Sequence, residues 1–285
     1  MTRRGLALLA LALLGCPAGP PPPLPRADAP APRTVTPSPA LAELVVAIGA
    51  EAHLVGVSPF CDHHPRLAEL PEIGGLKPNL EQLEVLAPDL LLWQGTSVLA
   101  EDYARRRGAR FEAFRIETFA DVAAGLERLG ELFARQEAAA AEAARLEAAI
   151  AAVRARAPAA RPRVLLVFGR EPGGLRQIPA VGGGTFLSEC LAAAGGENVL
   201  AEREGWPTLS LEGVLSLAPD VVLELVNQDA PDPAALEARL ADWARYPELP
   251  AVAQGRVRAV TGSELLIPGP RLTAVLEKFA RAVGE

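Results

Sequence analysis

The densest group of reactive side chains in the sequence is "FCDHHP", residues 60–65. Cys61, Asp62, His63 and His64 can each hold a metal or carry a proton. Their crowding argues against a closed metal site, because zinc ligands on one loop are normally two to four residues apart and immediate neighbours project in different directions. The third histidine, His53, precedes the run "LVGVS", so a site made by the protein alone would need distant carboxylates. The expectation is therefore a set of polar residues on the rim of a cleft, with one histidine able to touch the metal of a bound ligand. A dedicated zinc or manganese site is the weaker alternative, and no resident metal or cofactor is expected.

Catalysis finds little support. Ser188 and Ser210 lack a glycine-framed strand-to-helix elbow, and the C-terminal half has no histidine to serve as their base. "AVGGGTFL" precedes a helix but has no phosphate-loop lysine, so residues 182–184 read as a flexible turn. Glu117 and Asp121 read as the exposed start of a helix. An enzyme is not expected. Two tryptophans point elsewhere: Trp93 ends a strand, and Trp206 sits in the turn "EGWPTLS". So much apolar surface in a turn calls for a large flat ligand or for a contact with the core. Trp243 reads as structural. Arg170, directly after "VFG", is able to meet a ligand if that ligand is anionic.

The elements that must position these residues alternate between strand and helix. The run 41–48 has helical apolar spacing and ends at Gly49. "DLLLW" and "RVLLVFG" are continuous apolar runs of the kind buried on both faces of a parallel sheet. The order then repeats. "LEQLEVLAPD" at 80–89 returns as "LEGVLSLAPD" at 211–220, and residues 41–43 and 49–51 align with 187–189 and 195–197. Alternation written twice predicts an α/β protein of two Rossmann-like lobes with mostly parallel sheets and a ligand cleft between them. Residues 34–118 and 162–285 form the lobes. Between them, 119–157 is rich in Ala, Leu, Glu and Arg and predicts one or two helices, with 136–156 as a stiff strut.

With 285 residues, a formal charge of −7 and no basic face, the chain is not built for nucleic acid. Its start is a short positive segment and an apolar run too brief to span a bilayer, ending in Gly15-Cys16. Residues 1–15 read as a lipoprotein signal, Cys16 as the lipidated residue, and the proline-rich stretch 16–33 as a stiff tether. Of the remaining cysteines, Cys190 falls on a helical apolar face, and a bridge to Cys61 is permitted rather than required.

From residue 33 onward the chain resembles the helical-backbone periplasmic binding proteins of ABC importers. The segments that carry the resemblance are "LVGVSPFCDHHP", "LPEIGG", "NLEQLEVLAPDLLL", "LAAAGGENV", "WPTLSLEGVLSLAPDVVL" and "PGPRL". It implies a monomeric, membrane-tethered protein that binds a bulky metal chelate and passes it to a permease dimer with its ATPase. A corrinoid is the expected ligand, with a ferric siderophore or haem as the alternative. By matching motifs, Glu81 and Glu212 would meet the permease. Phe60, Cys61, Asp62, His63, His64, Trp93, Gln94, Arg170, Trp206 and Glu264 would line the ligand site. The sequence departs from the corrinoid-binding pattern at Gly75 and Leu76, where a tryptophan is expected, and in "TGSELLIPGPRL", which lacks the acidic-aromatic-arginine pattern before the last helix.

Overall fold

A computed structural model describes residues 32–75 and 77–284. The signal segment, Cys16 and nearly all of the tether lie outside the described residues, as does Leu76. The first lobe runs β1 (Thr34–Thr36), α1 (Pro39–Ala47), β2 (Leu54–Val57), α2 (Pro65–Ala68), α3 (Leu80–Leu86), β3 (Leu90–Gln94), α4 (Val98–Arg107) and β4 (Arg110–Phe114). Helices α5 (Phe119–Phe133) and α6 (Gln136–Ala155) follow. The second lobe runs β5 (Arg163–Phe168), β6 (Ile178–Pro179), α7 (Phe186–Ala193), β7 (Glu197–Asn198), β8 (Thr208–Leu209), α8 (Leu211–Leu217) and β9 (Val221–Val226). It closes with α9 (Pro233–Ala241), α10 (Pro250–Ala253), β10 (Val257–Thr261) and α11 (Leu272–Gly284).

The two main sheets are separate and share one plan. Strand order β2-β1-β3-β4 in the first is matched by β7-β5-β9-β10 in the second, and all their strand pairs are parallel. The repeated "LAPD" shows at atomic level why it is written twice. Both α3 and α8 end on an alanine in the left-handed region, Ala87 (φ 42) and Ala218 (φ 45). The aspartate two residues on then catches the start of the neighbouring strand: Arg33 N–H donates to Asp89 (2.9 Å), and Arg163 N–H donates to Asp220 (2.9 Å). The same arginines close the helix ends, Arg33 donating to the Leu86 carbonyl and Arg163 to that of Ala218. Orphan carbonyls of a last helical turn are satisfied in this way.

Helix starts follow the sequence closely. Ser38, Asn79, Ser97, Thr118, Thr185 and Ser210 each accept a backbone N–H of the first turn with the side chain. Helix α1 begins earlier than its apolar spacing suggests, because Pro39 occupies the first turn, where its missing N–H costs nothing. The segment 119–157 is two helices, and α6 is the strut. Ala134, at φ 52, breaks the chain between α5 and α6. Helix α6, about 30 Å long by its rise per residue, buries Ala139, Leu146 and Val153 along one stripe. That stripe belongs to an apolar core running unbroken from Leu41 and Leu44 of the first lobe to Leu276 and Phe279 of the second.

Candidate ligand-binding cleft

The carboxyl ends of both parallel sheets provide the candidate site, where ligands of open α/β sheets collect. On the first-lobe side lies a cavity of about 440 Å³, lined by Phe60, Gly75, Trp93, Gln94, Glu117 and the turn 37–39. Ser38 donates to Gln94 Oε1 (2.8 Å) and Gln94 Nε2 to the Ile116 carbonyl (3.4 Å). These bonds tie the ends of β1 and β3 to the chain entering α5. Phe60 is held by its backbone N–H on Ser58 Oγ (3.3 Å), yet its side chain is 69% exposed. A phenylalanine so bare at the mouth of a cleft is available surface.

Trp206, 40% exposed, stands at the carboxyl end of β5 with its ring edge-on to Phe168, 5.2 Å between centroids. What holds it there is the triple glycine, which is a locked turn rather than a flexible one. Gly182 N–H donates to the Gly205 carbonyl (2.8 Å), Gly183 N–H to that of Arg203 (2.8 Å), and Gly205 N–H back to that of Gly183 (2.9 Å). A Cβ at Gly182 or Gly183 would lie 2.0 Å from a backbone oxygen of Arg203 or Ala201. Only glycine lets the two backbones approach this closely.

Several expected ligand-site residues are placed otherwise. Arg170 is 4% exposed, and its guanidinium donates to Glu224 (2.8 and 2.6 Å) and Asp242 (2.7 Å). It neutralises two buried carboxylates, so the expectation that it meets an anionic ligand gives way to a structural role. Burial pushes the Asp242 carboxyl up, but the bonds from Arg170 and the Gly173 and Gly174 N–H groups outweigh that and hold it below the usual range. Trp243, fully buried, donates to Glu224 (2.6 Å). Glu264 is also buried, paired with Lys278 of α11. Cys61 turns into the core, its sulfur 3.3 Å from Ser58 Oγ, and burial raises its thiol pKa. Both Cys61 and Cys190 are free thiols. Trp93 touches the cleft but is 3% exposed, tilted against Phe111, so it contributes an edge and no open wall. Asp62 is exposed, and His64 is half-buried at the cap of α2. Among the described residues, no group of three or more His, Cys, Asp or Glu is arranged to hold a metal.

Sequence reasoning missed two contacts, one joining the lobes to each other and one joining the second lobe to the helical segment between them. Glu43 of α1, buried, accepts from Arg271 Nε (3.1 Å) and Nη2 (2.6 Å), and Arg271 also reaches Ser263 Oγ (2.9 Å). His63 Nδ1 lies 3.5 Å from the same carboxylate. Burial lowers the His63 pKa; Glu43 pulls it up, while Arg271 and His64 push it down. On the other side Glu189 of α7 accepts the N–H of Phe119 at the start of α5 (2.6 Å). Glu43 and Glu189 are the equivalent residues of the internal repeat. The alignment of 41–43 with 187–189 was the signal that would have found them.

Glu81 and Glu212 occupy the same exposed position in the first turns of α3 and α8. A larger cavity, about 700 Å³, lies between α5, α6 and Leu272, away from the strand ends. Alanines line much of it, and among the described residues only Glu147 and Arg154 bring charge.

The family model for periplasmic binding proteins matches residues 35–263. The chain belongs to the periplasmic binding protein family. This is a family of transport-associated binding proteins rather than enzymes. The chain is 30% identical over 257 residues to a cobalamin-binding protein of Halobacterium salinarum, covering 86% of this chain and 67% of that one. It is 28% identical over 206 residues to a vitamin B12-binding protein of Yersinia pestis, covering 68% of this chain and 70% of the relative. Among solved structures, a periplasmic haem-binding protein of Pseudomonas aeruginosa aligns with TM-score 0.72 and 27% identity, over 88% of this chain and 92% of the other. A periplasmic vitamin B12-binding protein of Vibrio cholerae shares the fold, with TM-score 0.74 at 23% identity over 89% and 97% of the two chains. No helix among the described residues is long and apolar enough to cross a membrane.

Proposed function

We propose that this periplasmic binding protein captures a corrinoid and delivers it to the permease of an ABC importer. The observation that carries the reading is a pair of bare aromatic side chains, Phe60 and Trp206, one at the carboxyl edge of each parallel sheet. Two such faces suit a large, flat, partly apolar ligand, and a site of this kind takes most of its affinity from a few aromatic anchors. The internal pairing of Arg170, Arg271 and Lys278 leaves the strand ends without these cations to offer an anionic chelate. That favours a corrinoid over haem, which is the alternative raised by the Pseudomonas aeruginosa structure. In this reading Glu81 and Glu212 present one negative charge per lobe to a two-fold permease, and Cys16 carries the lipid that keeps the protein at the membrane.

Tryptophan fluorescence titrated with cyanocobalamin tests the proposal. Saturable quenching is expected, and Trp206→Ala should weaken binding about thirtyfold, as for an anchor residue of roughly 2 kcal/mol. Saturable binding of haem or a ferric siderophore, with none of cyanocobalamin, would overturn it.

A further inference from the structure

One cleft residue combines charge, position and the lack of a partner. Glu117 lines the cavity beside Phe60 and Gln94 and, among the described residues, is the only ionisable one in the lining. Its backbone is fixed from both directions. Its N–H donates to Asp121 (3.1 Å), and its carbonyl accepts the N–H of Phe186, at the start of α7 in the second lobe (2.6 Å). The residue therefore lines the cavity at a point where the first lobe bonds to the second. Among the described residues no donor or cation engages its carboxylate. Arg115, two positions earlier, leans on Asp121 instead (3.4 Å). The other polar side chains of the lining, Ser38 and Gln94, are joined to each other (2.8 Å).

We infer that Glu117 is the charge filter of the cleft: it accepts hydrogen bonds from a ligand that presents N–H donors and repels one that presents carboxylates. This rests on the corrinoid reading for the natural ligand, since the rim of a corrinoid bears primary amides, whereas haem bears two propionates. A hydrogen bond to a charged acceptor is about twice as strong as a neutral one. A half-buried charge that finds no partner in the ligand disfavours that ligand. Discrimination then lies as much in what the cleft refuses as in what it holds.

The test compares haem with its diamide, in which both propionates are converted to primary amides, alongside cyanocobalamin, by equilibrium titration of the full protein. The wild type should bind the diamide at least tenfold more tightly than haem. Glu117→Gln should shrink that ratio to about threefold or less, and Glu117→Lys should reverse it, with the gain in haem affinity falling as salt rises. Thermal melts unchanged from wild type keep folding out of the comparison, and Glu117→Gln is close to isosteric. A wild-type ratio near one, or a ratio unmoved in both variants, would overturn the inference even if cyanocobalamin binds. Failure of cyanocobalamin to bind, with the haem-to-diamide ratio intact and dependent on Glu117, would overturn the corrinoid reading and leave the filter standing.

Discussion

Replacing Glu43 by glutamine removes the charge that fastens the first lobe to the second. The carboxylate accepts three contacts from Arg271, at 3.1, 3.1 and 2.6 Å. Glu43 is 2% exposed and Arg271 27%, so the pair is only partly shielded from water. A hydrogen bond to a charged group contributes about 1.5–3 kcal/mol, and breaking a fully buried pair costs about 3–5 kcal/mol. The open side of Arg271 reduces this, and the glutamine oxygen still accepts one bond. The expected loss is about 2–3 kcal/mol, or a fall in Tm of roughly 4–10 °C for a chain of this size. Arg271→Met should cost a similar amount, plus its bond to Ser263. Chemical denaturation of both single variants and the double variant yields the coupling directly. A coupling energy of about 1.5–2.5 kcal/mol is expected, because the second substitution removes a partner already lost. If the two effects add to within about 0.5 kcal/mol, the pair does not join the lobes energetically and the reasoning fails.

Further outcomes follow from other parts of the molecule. Ala87→Gly and Ala218→Gly should each raise stability by about 0.5–1 kcal/mol in thermal melts, because glycine relieves the left-handed conformation more than it loosens the unfolded chain; destabilisation in both would show those turns to be unstrained. His53 and His63 are both held below the ordinary value of 6.5, chiefly by burial. Their contribution to stability should be complete above the unfolded value and be lost as pH falls from there through the folded value, because the unfolded chain binds more protons in that window. Melts from pH 7.5 to 5 should show this slope, and His63→Gln should flatten it; an unchanged slope would assign the acid sensitivity elsewhere. The double variant Glu81→Arg, Glu212→Arg should lose association with reconstituted permease while keeping ligand affinity, and retained association would remove both residues from the docking face.

The features legible along the chain were local and repeated. Apolar spacing, cap residues and the twice-written "LAPD" specified alternating elements and two like lobes, because helix and strand periods and turn chemistry are short-range properties. The break at Ala134 was not legible, since alanine is the best helix former and only packing forces it into the left-handed region. Nor was the role of the triple glycine, which depends on backbone arriving from residues 200–205. Which charges stay free depends on long-range packing. Arg170 looked available because its partners Glu224 and Asp242 lie 54 and 72 positions away, and Arg271 finds Glu43 across 228. Burying a charge is costly unless an opposite charge meets it, so the fold pairs those it must enclose. It left Glu117 unpaired among the described residues in the cleft lining, a distinction no spacing rule along the chain expresses.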